Sequence, residues 1–170
     1  PPGGDAPHKK DKPKRELSKA EIEQAEGMVI EKTKGALVLN KPPGLATQGG
    51  TNTFNHVDGL LDAFAPGEED VRPRLVHRLD KDTSGALLIA RTPGSAAFFS
   101  KRFSGRSAKK IYWALVMGVP DIKEGVIEAP LAKQPGSGGE KMHVDHEDGQ
   151  AAKTKYRVVD SAGKKAARLE

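Results

Sequence analysis

Apolar and polar positions along this chain repeat with two different periods, and each predicts an element. Ser18-Lys19-Ala20-Glu21 has the spacing of a capping box, in which a serine oxygen and a glutamate three residues later satisfy each other's backbone amides. A short helix is therefore predicted to about Glu26, just before Gly27. Residues 28–31 and 36–39 are apolar runs with strand character, separated by a turn at Thr33-Lys34-Gly35. Pro42-Pro43-Gly44 cannot continue a ladder, so the chain must turn there. In residues 54–64, Val57, Leu60, Leu61 and Phe64 fall at helical spacing and bury one face. Thr92 before Pro93 is an N-cap and first-turn pair, opening a helix whose apolar face carries Ala96, Phe99 and Phe103.

Residues 86–90, all apolar, predict a buried strand, and residues 111–117 are apolar on both pleat faces, the pattern of a central strand covered on two sides. Further strands are expected at 125–129, 151–159 and 165–169. Gly136 to Met142 lacks the glycine spacing of a phosphate loop and is expected to be a flexible connection. The mixture predicts an α+β fold with a largely antiparallel sheet and a few helices. A chain of 170 residues buries one real core, so one folded region is expected over 18–170. Residues 1–17, proline- and glycine-rich and then lysine-rich, are expected to form a basic polar linker or arm.

Between the predicted strands lies the most polar stretch, His77-Arg78-Leu79-Asp80-Lys81-Asp82-Thr83-Ser84-Gly85. A loop braced by two strands can hold side chains rigidly while presenting them to a substrate. Asp82, Thr83, Ser84 and Gly85 are good turn formers, and Thr83, Ser84 and Gly85 are assigned to shaping the loop. A turn requires neither Arg78 nor Asp80, and these residues alone leave a surface ion pair and a reactive pair as open alternatives.

The charge distribution bears on that choice. The formal net charge is +5, but residues 72–110 hold ten basic residues against two acidic ones, a local excess of +8 around this loop. Residues 20–71 are acidic instead, with nine carboxylates against three cations. Such a patch predicts a nucleic-acid partner without specifying its sequence. The chain has no cysteine, which excludes disulfide-linked partners and thiolate nucleophiles and is compatible with a cytoplasmic setting. No apolar stretch of ~20 residues predicts a membrane span. His143 and His146 sit beside Asp145, Glu147 and Asp148 without a second ligand pair, so they are assigned to a solvated hairpin and no metal is expected.

Taken together, Asn40-Lys41-Pro42-Pro43-Gly44, the His77 to Gly85 run and Lys109-Lys110-Ile111-Tyr112-Trp113-Ala114-Leu115-Val116-Met117-Gly118 resemble the RluA family of pseudouridine synthases in order and spacing. The likeness spans about residues 28–169. Gly49-Gly50 and Ala129-Pro130-Leu131 make it most similar to the RluC branch. It implies the N-terminal portion of a catalytic α+β domain over 18–170, acting as a monomer, without a cofactor, on uridines of large-subunit ribosomal RNA. It also implies that Asp80 is the catalytic aspartate and Tyr112 an active-site tyrosine, and that Arg78 fills the gap left by a flipped-out base. His77, Arg72, Arg74, Lys109 and Lys110 are then expected to contact RNA.

For Tyr112 the residues alone also allow a place in a strand core. In the family, the strand matching Ala166 to Leu169 leads into a segment whose basic residue pairs with the aspartate. The sequence ends at Glu170 without that segment, so the chain is expected to be part of a longer protein; in the family a small S4-type RNA-binding domain often precedes the catalytic one, and this chain is expected to lack it. Two other classes are consistent with parts of the pattern. One is a non-catalytic ribosome-associated RNA-binding module, which needs no Asp80. The other is a glycosidase using Asp80 and Asp82 as carboxylates ~5 to 10 Å apart, which needs no basic patch.

Overall fold

A computed structural model of the chain describes residues 15–50, 55–67, 69–105, 107–136 and 141–170. Most of the expected arm, Phe54 and most of the glycine-rich connection after Gly136 lie outside the described residues. The chain divides into two units, Pro1–Ala108 and Lys109–Glu170.

In the first unit the capping box forms as predicted. Ser18 Oγ accepts from the Glu21 amide and Glu21 accepts from the Ser18 amide, opening α1 (Lys19–Gly27). Two strands follow, β1 (Val29–Lys32) and β2 (Ala36–Lys41), joined by the turn in which the Thr33 amide donates to the Ala36 carbonyl. The helical spacing at 57–64 resolves into a one-turn α2 (Val57–Leu60) and a 3-10 turn over Leu61–Phe64. The strands β3 (Arg74–Leu75) and β4 (Gly85–Ala90) then bracket the polar loop, and α3 (Pro93–Ser104) starts at a capped Thr92.

These strands make an antiparallel sheet of order β1-β2-β4-β3. The β2–β4 register runs from Ala36 opposite Ala90 to Lys41 opposite Gly85, so the end of β2 meets the end of the polar loop. One core fills the unit, built from Leu37 and Leu39 of β2, Leu87 and Ile89 of β4, Ala25 and Met28 at the end of α1, Val57, Leu60 and Leu61, and two loop residues, Leu45 and Leu79.

The second unit is an antiparallel sheet of order β5-β9-β8-β6-β7, from β5 (Ala114–Met117), β6 (Glu124–Lys133), β7 (Met142–Val144), β8 (Gln150–Ala162) and β9 (Ala166–Leu169). The α+β class therefore holds, with two antiparallel sheets rather than one. One expectation is corrected. The strand predicted over 111–117 begins at Ala114, and among the described residues it is an edge strand that pairs with β9 alone. Leu115 and Met117 are 83% and 94% exposed. An apolar run records what a strand is able to bury, whereas its place in the ladder decides what it does bury. Among the described residues, no helix is long and apolar enough to cross a membrane.

Candidate active site

The polar loop alternates in and out. Leu79 is buried in the core, while Arg78 and Asp80 on either side are exposed. Extended backbone turns successive side chains to opposite faces, so one apolar anchor forces both polar neighbours outward together. Among the described residues neither side chain makes a hydrogen bond or ion pair. The amide of Thr83 donates to the Asp80 carbonyl at 3.1 Å, forming the predicted turn, and Gly85 leaves it at φ 113°, a conformation that side chains disfavour.

The backbone around Asp80 is held from three directions. Lys41 is fully buried, and its ammonium donates to the carbonyls of Pro42 at 3.0 Å, Leu45 at 2.7 Å and Lys81 at 3.0 Å. All three of its protons are thereby used, and residues 41–45 are tied to the residue after Asp80. The Lys81 carbonyl also accepts from the Gly44 amide at 2.9 Å, at the Pro42-Pro43-Gly44 turn. Burial pushes the Lys41 pKa below its ordinary value, and the negative charges of Asp82 and Asp80 oppose that shift.

On the other side of Asp80, the Thr47 hydroxyl donates to the Leu79 carbonyl at 2.6 Å and accepts from the Leu79 amide at 3.1 Å. The third hold comes from His77. Strand β3 stops at Leu75, and beyond it His77 Nε2 accepts from the Leu88 amide of β4 at 2.9 Å, continuing the ladder with a side chain. Accepting at Nε2 places the proton of a neutral ring on Nδ1. The imidazole also stacks on Phe103 of α3 at 4.1 Å, with the rings 6° from parallel.

The basic candidates differ in what occupies them. The Arg72 guanidinium donates to Asp62 Oδ1 at 2.7 Å, to Asp58 Oδ1 at 3.3 Å and to the Asp58 carbonyl, bracing the segment before β3 against α2. Its charge is balanced inside the unit and adds nothing to the exposed positive excess. Arg74 on β3 is exposed. Lys109, Lys110 and Tyr112 belong to the second unit, ahead of β5, and are exposed, so a core role for Tyr112 does not apply. Nearby in that unit Trp113 Nε1 donates to Glu170, and the Arg168 guanidinium lies 5.1 Å over the indole. His143 approaches Asp145 at 3.5 Å in the hairpin turn, and no cluster of metal-ligating side chains occurs among the described residues.

Lys41 and Thr47 were not among the residues singled out for the site by chemistry. A signal for Lys41 exists: Leu37, Leu39 and Lys41 alternate along β2, which points the lysine at the core face. Nothing local marks Thr47, because its partner is 32 residues away.

Residues 35–170 match the family model described as RNA pseudouridylate synthase. The chain is 37% identical over 155 residues to the Arabidopsis thaliana protein named RNA pseudouridine synthase 4, mitochondrial, covering 79% of this chain and 32% of that one. It is 38% identical over 125 residues to the ribosomal large subunit pseudouridine synthase C of Rickettsia conorii, covering 74% of this chain and 41% of the relative. The human structure titled RNA Pseudouridylate Synthase Domain Containing 4 superposes with a TM-score of 0.73 at 26% identity, over 88% of this chain and 61% of its own. The chain thus spans about a third to two fifths of these two sequence relatives.

Proposed function

This chain belongs to the RNA pseudouridylate synthase family, and from that premise we propose that the full-length protein converts uridines of large-subunit ribosomal RNA to pseudouridine, with Asp80 as the reacting carboxylate. The reaction breaks the bond between C1′ and N1, turns the uracil and joins C1′ to C5. The proton on C5 is lost and N1 gains one, so substrate and product are isomers and no electrons change hands. One carboxylate suffices, either adding to C1′ or removing a proton from the sugar. Its target bond is hidden while the base is stacked, so the nucleotide must leave the helix first.

The observation that carries this reading is the disposition of Arg78 and Asp80, both exposed beside a buried Leu79 on a loop held by Lys41, Thr47 and His77. A rigid backbone presenting a carboxylate and a guanidinium side by side suits attack on C1′ by one and occupation of the vacated stack by the other. Phosphate contacts are proposed for Arg74, Lys109 and Lys110, and a stacking role beside the reacting sugar for Tyr112. His77, bonded to Leu88 and stacked on Phe103, supports the loop from within, and Arg72 supports the segment before it.

The test is to incubate the full-length protein with unmodified large-subunit ribosomal RNA and map pseudouridine. Wild type is expected to modify discrete uridines, and Asp80→Asn to abolish this while binding RNA within a few-fold of wild type. Normal turnover by Asp80→Asn would remove Asp80 from the chemistry. RNA binding with no pseudouridine from wild type would favour a non-catalytic RNA-binding module.

A further inference from the structure

We propose that Thr47 is a positioning residue for Asp80, an inference that rests on Asp80 being the reacting carboxylate. The Leu79 carbonyl lies in the plane that leads into Asp80, and the Leu79 amide lies in the plane that leads out of Arg78. One Thr47 hydroxyl, donating at 2.6 Å to that carbonyl and accepting at 3.1 Å from that amide, therefore fixes both planes. The backbone that carries the side chains proposed to attack the sugar and to fill the stack is thus constrained on both sides of Leu79 by one oxygen.

Thr47 is itself held from behind. Its carbonyl accepts from the Asp58 amide at 3.0 Å and the Ala46 carbonyl from the Val57 amide at 2.9 Å, both at the first turn of α2. It is 2% exposed, so water has little access to replace the hydroxyl. Valine differs from threonine by a methyl group in place of the hydroxyl, so at this buried position the substitution removes the oxygen and leaves the side chain's outline nearly unchanged. What a valine cannot do is serve the two Leu79 backbone groups, which would then be buried without partners. The peptide planes would rotate to find others, carrying Asp80 with them.

The experiment compares wild type with Thr47→Val, Thr47→Ser and Thr47→Ala in the full-length protein, measuring kcat, KM for RNA, thermal melting and exchange of the Leu79 amide. A misplacement of about 1 Å costs about 100-fold in rate. Thr47→Val is accordingly expected to lower kcat by about 100-fold with KM within about 3-fold, and to speed Leu79 amide exchange. Thr47→Ser, which keeps the oxygen, is expected to return kcat to within about 3-fold of wild type. Thr47→Ala gives a smaller side chain at which water can reach Leu79, and is expected to fall between them. Wild-type kcat in Thr47→Val, with Asp80→Asn inactive, overturns this proposal and leaves the assignment of Asp80 standing. If Thr47→Val and Thr47→Ala both fail to fold, or lose activity only in proportion to the folded fraction, Thr47 is structural and the proposal is wrong. Absence of pseudouridine from wild type overturns the functional reading and this one with it.

Discussion

Replacing Lys41 by methionine tests how much of the loop's rigidity comes from one buried cation. The change keeps an unbranched chain of similar length and removes the ammonium, so packing is largely preserved. Of the three carbonyls served by Lys41, that of Lys81 retains the Gly44 amide, whereas those of Pro42 and Leu45 lose the bond that the ammonium supplies. A buried acceptor left unsatisfied costs about 1 to 3 kcal/mol, giving about 2 to 6 kcal/mol for the two. Against this, a buried charge no longer has to be desolvated, which recovers part of the loss. The net expectation is a destabilisation of about 2 to 4 kcal/mol. At about 2 to 4 °C per kcal/mol for a chain of this size, Tm should fall by about 5 to 15 °C. Differential scanning calorimetry of the full-length protein measures it directly. Lys41→Arg should not rescue, because a planar guanidinium in a fully buried site cannot reproduce three bonds diverging from one nitrogen. A Tm within about 2 °C of wild type for Lys41→Met, or full rescue by Lys41→Arg, would refute the reasoning.

Arg72→Ala should lower stability by about 2 to 4 kcal/mol in urea titration, since Asp62 and Asp58 lose their cation in a largely buried site, yet leave the salt dependence of RNA binding unchanged. Lys109→Ala and Lys110→Ala should instead each reduce that salt slope by nearly one, and equal slopes for all three variants would contradict the division drawn between them. Gly85→Ala should cost about 1 to 2 kcal/mol in the same titration, because φ at 113° strains any side chain although the space around it is open; a neutral result would mean that the turn relaxes freely. In the second unit, the Trp113 indole N–H, together with Arg157, holds the Glu170 carboxyl below its ordinary 4.5. A depressed carboxylate contributes fully above pH 4.5 and loses its contribution as pH falls through the folded value. Emission of Trp113, the chain's one tryptophan, should accordingly change with a midpoint below 4.5, and the change should vanish in Glu170→Gln. A midpoint at or above 4.5 would show that the Trp113 contact is not made.

How much of this was legible beforehand depends on the range of the interactions involved. Local ones were read directly. The capping box at Ser18, the N-cap at Thr92 and the turns at residues 33–35 and 82–85 all lie within a few residues of sequence. The candidate carboxylate and its arginine neighbour were visible for the same reason, as was the α+β class. Charge counting identified the basic region but could not show that Asp58 and Asp62 pair with Arg72, because sequence gives the number of charges and not their partners. For His77, likewise, the sequence does not show its neighbours in space, Leu88 and Phe103.

Residues close together along the chain were enough to mark most of the elements, the polar loop and the candidate chemistry-bearing side chains. The tertiary structure alone decided what holds that loop still. Thr47 meets Leu79 and Lys41 meets Lys81 across 32 and 40 residues, and only the β2–β4 pairing and the common core bring them within hydrogen-bonding distance. It also decided that residues 114–117 form an edge strand rather than a central one, because burial belongs to a strand's neighbours, and the composition of the strand does not name them.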